Sequence, residues 1–141
     1  MTCMYCDEDD RLQKVMVKIK ELEHTKVYLW KDNHYPGRCI VAWKEHVVGL
    51  DNLDADQRRR LMQEVFAVHD AIKAACEADN VQIGYYSDDK HVHMSVVPKR
   101  QGEPDWGRWF EPVRETLTFM SQPQIDQWSV EILKYLTQPE K

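Results

Sequence analysis

Hydrophobic residues recur along the chain with two periods, and the longer period predicts three helices. Between residues 9 and 23 the apolar side chains follow helical spacing, which predicts an amphipathic helix. A longer helix is predicted to begin after Asp54, because Asp54 and Gln57 have the spacing of a capping box, and to end near 79–80. A third helix is predicted over 125–136.

Short runs of β-branched and aromatic residues predict four strands. The runs are 26–30, 39–43, 81–86 and 91–97. The polar turn 87–90 joins the last two strands, and Pro98 is expected to close the final one. This order of elements predicts an α+β fold with an antiparallel sheet and one long central helix, in a single domain over 1–141.

Charge and composition narrow the classes of partner. The net charge is −5 and there is no long block of Lys or Arg, which argues against a nucleic-acid polymer as ligand. No apolar run is long enough for a membrane span and the first residues lack the features of a secretory signal, so a cytoplasmic protein without membrane contact is expected. The four cysteines are then expected to be reduced.

The segment 91–97 carries the strongest candidate chemistry. Along a strand, His91, His93 and Ser95 share one face. A neutral imidazole on such a face can attack phosphorus and form a phosphoramidate, which makes His93 the central candidate for a nucleophile. The alternative is that alternating histidines merely occupy the solvent face of an amphipathic strand.

A second candidate site lies at the N-terminus. Cys3 and Cys6 have the C-x-x-C spacing of a zinc knuckle, and a closed structural zinc site needs two further ligands. The alternative is a disordered tail with two incidental thiols.

Two segments resemble the histidine triad (HIT) family. Residues 35–46, YPGRCIVAWKEH, resemble the segment that precedes the long helix in these proteins, and residues 91–99, HVHMSVVPK, resemble the family's signature. Residues 104–107, PDWG, resemble a segment of bacterial relatives. The similarity is to zinc-containing bacterial HIT hydrolases of the dinucleoside polyphosphate hydrolase type.

The resemblance implies an activity and a metal site. Relatives are usually homodimers that bind a nucleoside phosphate or dinucleoside polyphosphate and cleave or transfer at the α-phosphorus. The nucleophile is the middle histidine of the signature, here His93, and water or a second acceptor completes the reaction. The resemblance further implies a structural zinc ion, with ligands Cys3, Cys6, His46 and His91.

The chain departs from the family pattern at Ser95, where relatives carry histidine and the related uridylyltransferases carry glutamine. Arg38 stands where many relatives have histidine, and is expected either to bind phosphate or to pair with an acid. Ser87 is a second candidate for substrate binding. Asp88 and Asp89 have two interpretations: they form a solvated turn, or they lie beside the phosphate site and repel an anionic substrate. Together with Ser95 they motivate an alternative function, a nucleotide-binding or protein-interaction module with weak or lost catalysis.

Overall fold

The computed structural model describes residues 3–86, 90–103, 105–112 and 114–139. Ser87, Asp88 and Asp89 therefore lie outside the described residues. The elements, in chain order, are helices α1 (Met4–Asp7) and α2 (Asp10–Val15), strands β1 (Met16–Glu21), β2 (Thr25–Trp30) and β3 (Cys39–Trp43), a 3-10 turn (Leu50–Asn52), helix α3 (Ala55–Ala75), strands β4 (Asn80–Tyr85) and β5 (His93–Lys99), and helix α4 (Gln122–Tyr135).

The strands form one antiparallel five-stranded sheet in the order β1-β2-β3-β5-β4. Strand β5 therefore lies inside the sheet, with β3 on one side and β4 on the other. Its register places Ser95 opposite Ile40 and His93 opposite Ala42. The predicted α+β fold with an antiparallel sheet and a long helix is confirmed.

The long helix α3 packs on one face of the sheet. Asp54 and Gln57 form the predicted capping box, each side chain bonded to the other residue's backbone N–H. The helix ends at Ala75, four residues before the predicted end. Leu61 and Val65 are fully buried in the cluster that also contains Met94, Val96 and the buried side chains of α4. We call this cluster, which lies between the sheet and helices α3 and α4, the main core.

The opposite face of the sheet carries a second, smaller apolar cluster. Tyr28, Ile40 and Ala42 contribute from the strands, and Tyr5 and Leu12 from the two N-terminal helices. Because side chains alternate along a strand, His93 and Ser95 share this face with Ile40 and Ala42. The N-terminal segment is thus folded over the face that carries the signature.

The predicted helix over 9–23 is wrong beyond Val15. From Met16 the chain pairs with β2 as a strand, in which Val17 and Ile19 face the main core and Lys18 and Lys20 face solvent. Met16 belongs instead to the smaller cluster on the other face. The apolar residues of this segment therefore lie on two faces of the sheet, and the β1–β2 pairing has an irregularity between Lys18 and Lys20. An apolar spacing that fits one face of a helix also fits such an irregular strand.

The bounds of the signature strand also differ from the prediction. His91 precedes β5, which begins at His93. Pro98 does not close the strand, since it lies within β5 opposite Val81. None of the described helices combines the length and the apolar character needed to cross a lipid bilayer.

Candidate functional site

Four side chains from distant parts of the chain converge at one end of the His93 face. Cys3 Sγ lies 3.3 Å from His91 Nδ1, and Cys6 Sγ lies 3.6 Å from the same nitrogen. Cys6 Sγ is also 3.5 Å from His46 Nδ1. The ligand atoms of all four residues lie within 4.8 Å of one another. The structure brings together the four residues predicted as metal ligands.

The spacing of these atoms fits a tetrahedral zinc ion. With Zn–S about 2.3 Å and Zn–N about 2.0–2.1 Å, an S···N edge of a tetrahedron is roughly 3.6 Å. The three S···N distances, 3.3, 3.5 and 3.6 Å, are close to that length. A donor set of two thiols and two imidazoles is one of the usual closed structural zinc sites.

A hydrogen bond to the Trp43 carbonyl leaves His91 Nδ1 available as a metal ligand. Its Nε2 is 2.5 Å from the carbonyl oxygen of Trp43, which can only accept, so Nε2 carries the proton and Nδ1 presents its lone pair to the cysteines. Burial lowers the pKa of His91 and so favours the neutral imidazole; the hydrogen bond to Trp43 opposes this shift, and the nearby His46 adds to it. Desolvation raises the pKa of Cys6. The adjacent Cys3 raises it further, through a hydrogen bond and because two close thiolates repel each other, and a bound cation would relieve that repulsion.

His93 has a defined tautomer by the same reasoning. Its Nδ1 lies 2.7 Å from the carbonyl oxygen of His91 and donates to it. The proton is therefore on Nδ1, and the lone pair on Nε2 is left for chemistry. The side chain is partly exposed, in contrast to His91, which is buried. The two signature histidines thus have different environments.

Tyr5, which sequence reasoning did not single out, is part of this site. Its ring stacks on the His93 imidazole with a centroid separation of 4.9 Å and an interplanar angle of 26°. It also lies 5.4 Å from the His91 ring. The signal in the sequence was its place between Cys3 and Cys6, since a residue between two cysteines that contact His91 lies close to His91 as well.

Ser95, at the third signature position, is bonded to Arg38. Arg38 Nη2 donates to Ser95 Oγ at 3.1 Å and to the carbonyl oxygen of Pro112 at 3.1 Å. Arg38 reaches Ser95 because it lies two residues before Ile40, which is directly opposite Ser95 in the sheet. The guanidinium forms no ion pair with a carboxylate in the part of the chain that the structure describes. Asp32 is paired instead with Arg114, at 3.5 Å.

The Arg38 side chain is enclosed by aromatic rings. Its guanidinium carbon is 5.0 Å from the centroid of Trp30 and 5.2 Å from that of Phe110. The residue is only 4% exposed, and its Nε has no hydrogen-bond partner among the described residues. Burial lowers the pKa of Arg38 to about 10, so the side chain remains a cation at neutral pH.

The loop that supplies Phe110 and Pro112 is anchored to the sheet. Tyr35 Oη donates to Asp105 at 2.5 Å and accepts from the backbone N–H of Glu111 at 2.6 Å. The backbone N–H of Phe110 donates to Gln82 of β4. Arg38 is therefore held between two fixed segments. Ser87, the other predicted substrate-binding residue, stays a prediction because it lies outside the described residues.

The chain belongs to the HIT family, because the model of the HIT domain matches residues 11–102, more than half of the chain. The family includes nucleotide hydrolases and transferases. A comparison with proteins of curated function found no match.

Solved structures of histidine triad proteins share the fold at low sequence identity. One from Bradyrhizobium japonicum has a TM-score of 0.80 at 21% identity, over 92% of this chain and 96% of its own. One from Sinorhizobium meliloti has a TM-score of 0.81 at 20% identity, over 91% and 95% of the two chains. A Zn-bound histidine triad family protein from Mycobacterium smegmatis has a TM-score of 0.68 at 20% identity, over 95% of each chain.

Proposed function

We propose that the chain is a nucleotide hydrolase or nucleotidyl transferase that acts at the α-phosphorus of a nucleoside phosphate, including dinucleoside polyphosphates, with His93 as the nucleophile. One observation carries the proposal. The His91 carbonyl accepts from His93 Nδ1, which leaves the Nε2 lone pair as the reactive position on a partly exposed imidazole. Membership of a family that includes nucleotide hydrolases and transferases supports it.

The reaction proceeds in two displacements. His93 Nε2 forms a bond to the α-phosphorus while the bond from phosphorus to the leaving oxygen breaks, and that electron pair departs with the leaving phosphate or nucleotide. The resulting imidazolium ring keeps its Nδ1–H bond to the His91 carbonyl. Water or a second acceptor then attacks phosphorus and loses a proton, and the electrons of the P–N bond return to Nε2.

The four-residue cluster is proposed to bind a structural zinc ion through Cys3, Cys6, His46 and His91. The donor set and the S···N distances near 3.6 Å support this assignment. Zinc, when bound, supplies a crosslink between the N-terminal segment and the segment leading into β5. Fixing His91 also fixes the carbonyl group that orients His93.

The direct test is turnover of diadenosine tetraphosphate and of ADP, with products separated by chromatography. His93→Ala is expected to lower turnover by at least about 10³-fold, since the covalent route is removed. His69→Ala is the matched control, because His69 lies on α3 on the other side of the sheet, bonded to Asp70. Equal turnover in the wild-type and His93→Ala proteins would overturn the proposal.

Intact-mass spectrometry adds an independent arm. Rapid quenching is expected to show a nucleotidyl adduct on the wild-type chain and none on His93→Ala. The adduct should be acid-labile, as a phosphoramidate is.

A second candidate, a nucleotide-binding module with weak catalysis, is favoured by Ser95 at the third signature position. Ser95→His discriminates between the two functions. A large gain in turnover would show that serine has impaired the site, whereas an unchanged rate combined with His93 dependence would show that serine is competent. Binding of AMP without any turnover, in either protein, would support the module.

The homodimer and the cytoplasmic location stay predictions. Light scattering on the purified protein measures the first, and fractionation of cells measures the second.

A further inference from the structure

The geometry of the Arg38–Ser95 hydrogen bond fixes the direction of the Ser95 proton. A guanidinium has donors only, so Ser95 Oγ accepts from Arg38 Nη2 at 3.1 Å. The serine hydroxyl then has its own proton left to donate, and that proton must point away from the cation. A hydroxyl that accepts from a cation is also a stronger donor, because hydrogen bonds in a chain polarise one another.

We propose that Arg38 is a positioning residue that holds the Ser95 hydroxyl as a hydrogen-bond donor to the phosphoryl group of a nucleotide bound at His93. This inference deepens the proposed function and rests on it. No proton leaves Ser95 and no bond to Ser95 is made or broken. The pair supplies a charge-assisted donor from two residues that lie 57 positions apart in the sequence.

The placement of Ser95 relative to His93 fits such a role. Both residues belong to β5 and share the face that carries Ile40 and Ala42. Residues two apart on a strand are about 6.8 Å apart. One phosphoryl group spans that distance if its phosphorus is about 3 Å from the nucleophile and one of its oxygens is about 2.7 Å from the hydroxyl.

The surroundings of Arg38 indicate that it acts through Ser95 rather than by direct contact with phosphate. The residue is 4% exposed and its guanidinium lies between the rings of Trp30 and Phe110. Nη2 is already shared between Ser95 and the Pro112 carbonyl.

A buried cation without a carboxylate partner is costly, and an anion nearby lowers that cost. Within the described residues no carboxylate is paired with Arg38, and its buried Nε lacks a partner. Ser95 is the polar side chain that links this charge to the His93 face. Asp32 acts on Arg38 at longer range and is itself paired with Arg114. Binding of a phosphate next to Ser95 would therefore use a charge that has no direct carboxylate partner among the described residues.

A double-mutant cycle tests the coupling. Ser95→Ala, Arg38→Met and the double variant are prepared with zinc bound, and the affinities for AMP and for adenosine are measured by calorimetry. Each single change is expected to weaken AMP binding by roughly 10- to 100-fold, the range of a hydrogen bond to a charged group. The double variant should be no weaker than Ser95→Ala within about threefold, because Arg38 acts through the hydroxyl. Adenosine affinity should change by less than about twofold.

Controls separate this role from a structural one. Arg38→Lys keeps the cation and should recover part of the lost AMP affinity when Ser95 is present, and none when it is combined with Ser95→Ala. Zinc content and thermal unfolding show whether Arg38→Met folds. If it does not, Arg38→Lys takes its place in the cycle. Arg100→Met is the matched arginine control and should bind AMP as the wild type does. Arg100 follows the last residue of β5, and its guanidinium packs on Trp128 of α4, which lies against the main core rather than on the His93 face.

Additive losses, with Arg38→Met weakening AMP binding equally in the wild-type and Ser95→Ala backgrounds, would show a direct contact and overturn the inference. Absence of any effect on AMP would overturn it as well. Failure of the proposed function is distinguishable, because it appears without any change at Arg38 or Ser95, as missing turnover by the wild-type protein or as equal turnover by the wild-type and His93→Ala proteins.

Discussion

The ring of Tyr5 stacks on the imidazole of His93, with centroids 4.9 Å apart. Tyr5 lies in α1 between Cys3 and Cys6, so the segment that carries two of the candidate metal ligands also places a ring on the candidate nucleophile. The predicted metal site and the predicted catalytic strand are therefore one structural unit.

Replacing Tyr5 should lower turnover only when the aromatic ring that stacks on His93 is lost. Tyr5→Ala removes a stacking contact worth about 0.5–1.5 kcal/mol, and we expect turnover to fall by roughly 2- to 10-fold beyond any loss of stability. Tyr5→Phe keeps the ring and should retain most of the turnover. Steady-state kinetics at a temperature well below unfolding measure both. Identical kcat values for Tyr5→Ala and the wild type would show that the stacking does not position His93.

Removing either thiol of the cluster should release zinc. Cys3→Ser and Cys6→Ser each leave an incomplete tetrahedron, so we expect zinc content to fall from about one ion per chain to a small fraction of that, with a lower unfolding temperature. Metal analysis by mass spectrometry gives the content. Cys39→Ala is the matched control, since Cys39 is buried in β3 within the main core and should leave zinc content unchanged. Full retention of zinc in a Cys3→Ser/Cys6→Ser double variant would contradict the assignment.

Glu64 should be important for stability and not for chemistry. It is buried on α3, where its carboxylate accepts from the backbone N–H of His24 and the hydroxyl of Thr25. Glu64→Ala leaves these donors without an acceptor, and we expect a loss of roughly 3 kcal/mol in the free energy of unfolding. Urea titration measures it. Glu131→Ala, which breaks a surface ion pair on α4, should cost less than about 0.5 kcal/mol.

Gly37 should be intolerant of any side chain. Its φ is +99°, and an added Cβ would lie far inside van der Waals distance of Cys76 Sγ. We expect Gly37→Ala to cost about 2–4 kcal/mol of stability, from backbone strain and from the steric clash together. It should also weaken AMP binding, because it displaces the neighbouring Arg38.

The control for Gly37→Ala separates strain from clash. Gly102 has a similar φ of +85° but no atom within 4 Å of an added Cβ. Gly102→Ala should therefore lose only about 1 kcal/mol. The double variant Gly37→Ala/Cys76→Ala should recover part of the stability that Gly37→Ala loses beyond the loss in Gly102→Ala. Equal losses at the two glycines would show that the clash is absent.

Local patterns predicted those parts of the fold whose causes are local. Strand β3 has the predicted bounds and α3 begins with the predicted capping box, because runs of β-branched residues and an Asp54–Gln57 pair act over a few residues. Strand β1 was missed because its apolar residues face two different clusters, and that division depends on what packs on each side of the sheet.

The site was predictable in part. The resemblance named the four metal ligands, and the structure brings them within reach of one another. The contact of Tyr5 with His93 and the bond of Arg38 to Ser95 join residues 88 and 57 positions apart. Neither follows from spacing, since both require the register of β3 on β5 and the path of the N-terminal segment over the sheet.

The region that the family model matches does not contain the whole candidate site. The matched region begins at residue 11, whereas Cys3, Tyr5 and Cys6 precede it. A version of the chain trimmed to residues 11–102 would keep His93 and the carbonyl group of His91, yet would lose two of the four candidate metal ligands and the ring that stacks on His93. If the proposed site is correct, proteins that look alike within that region can differ in whether a bound metal positions the histidine that matches His93. Telling them apart then requires the short segment that precedes the matched region.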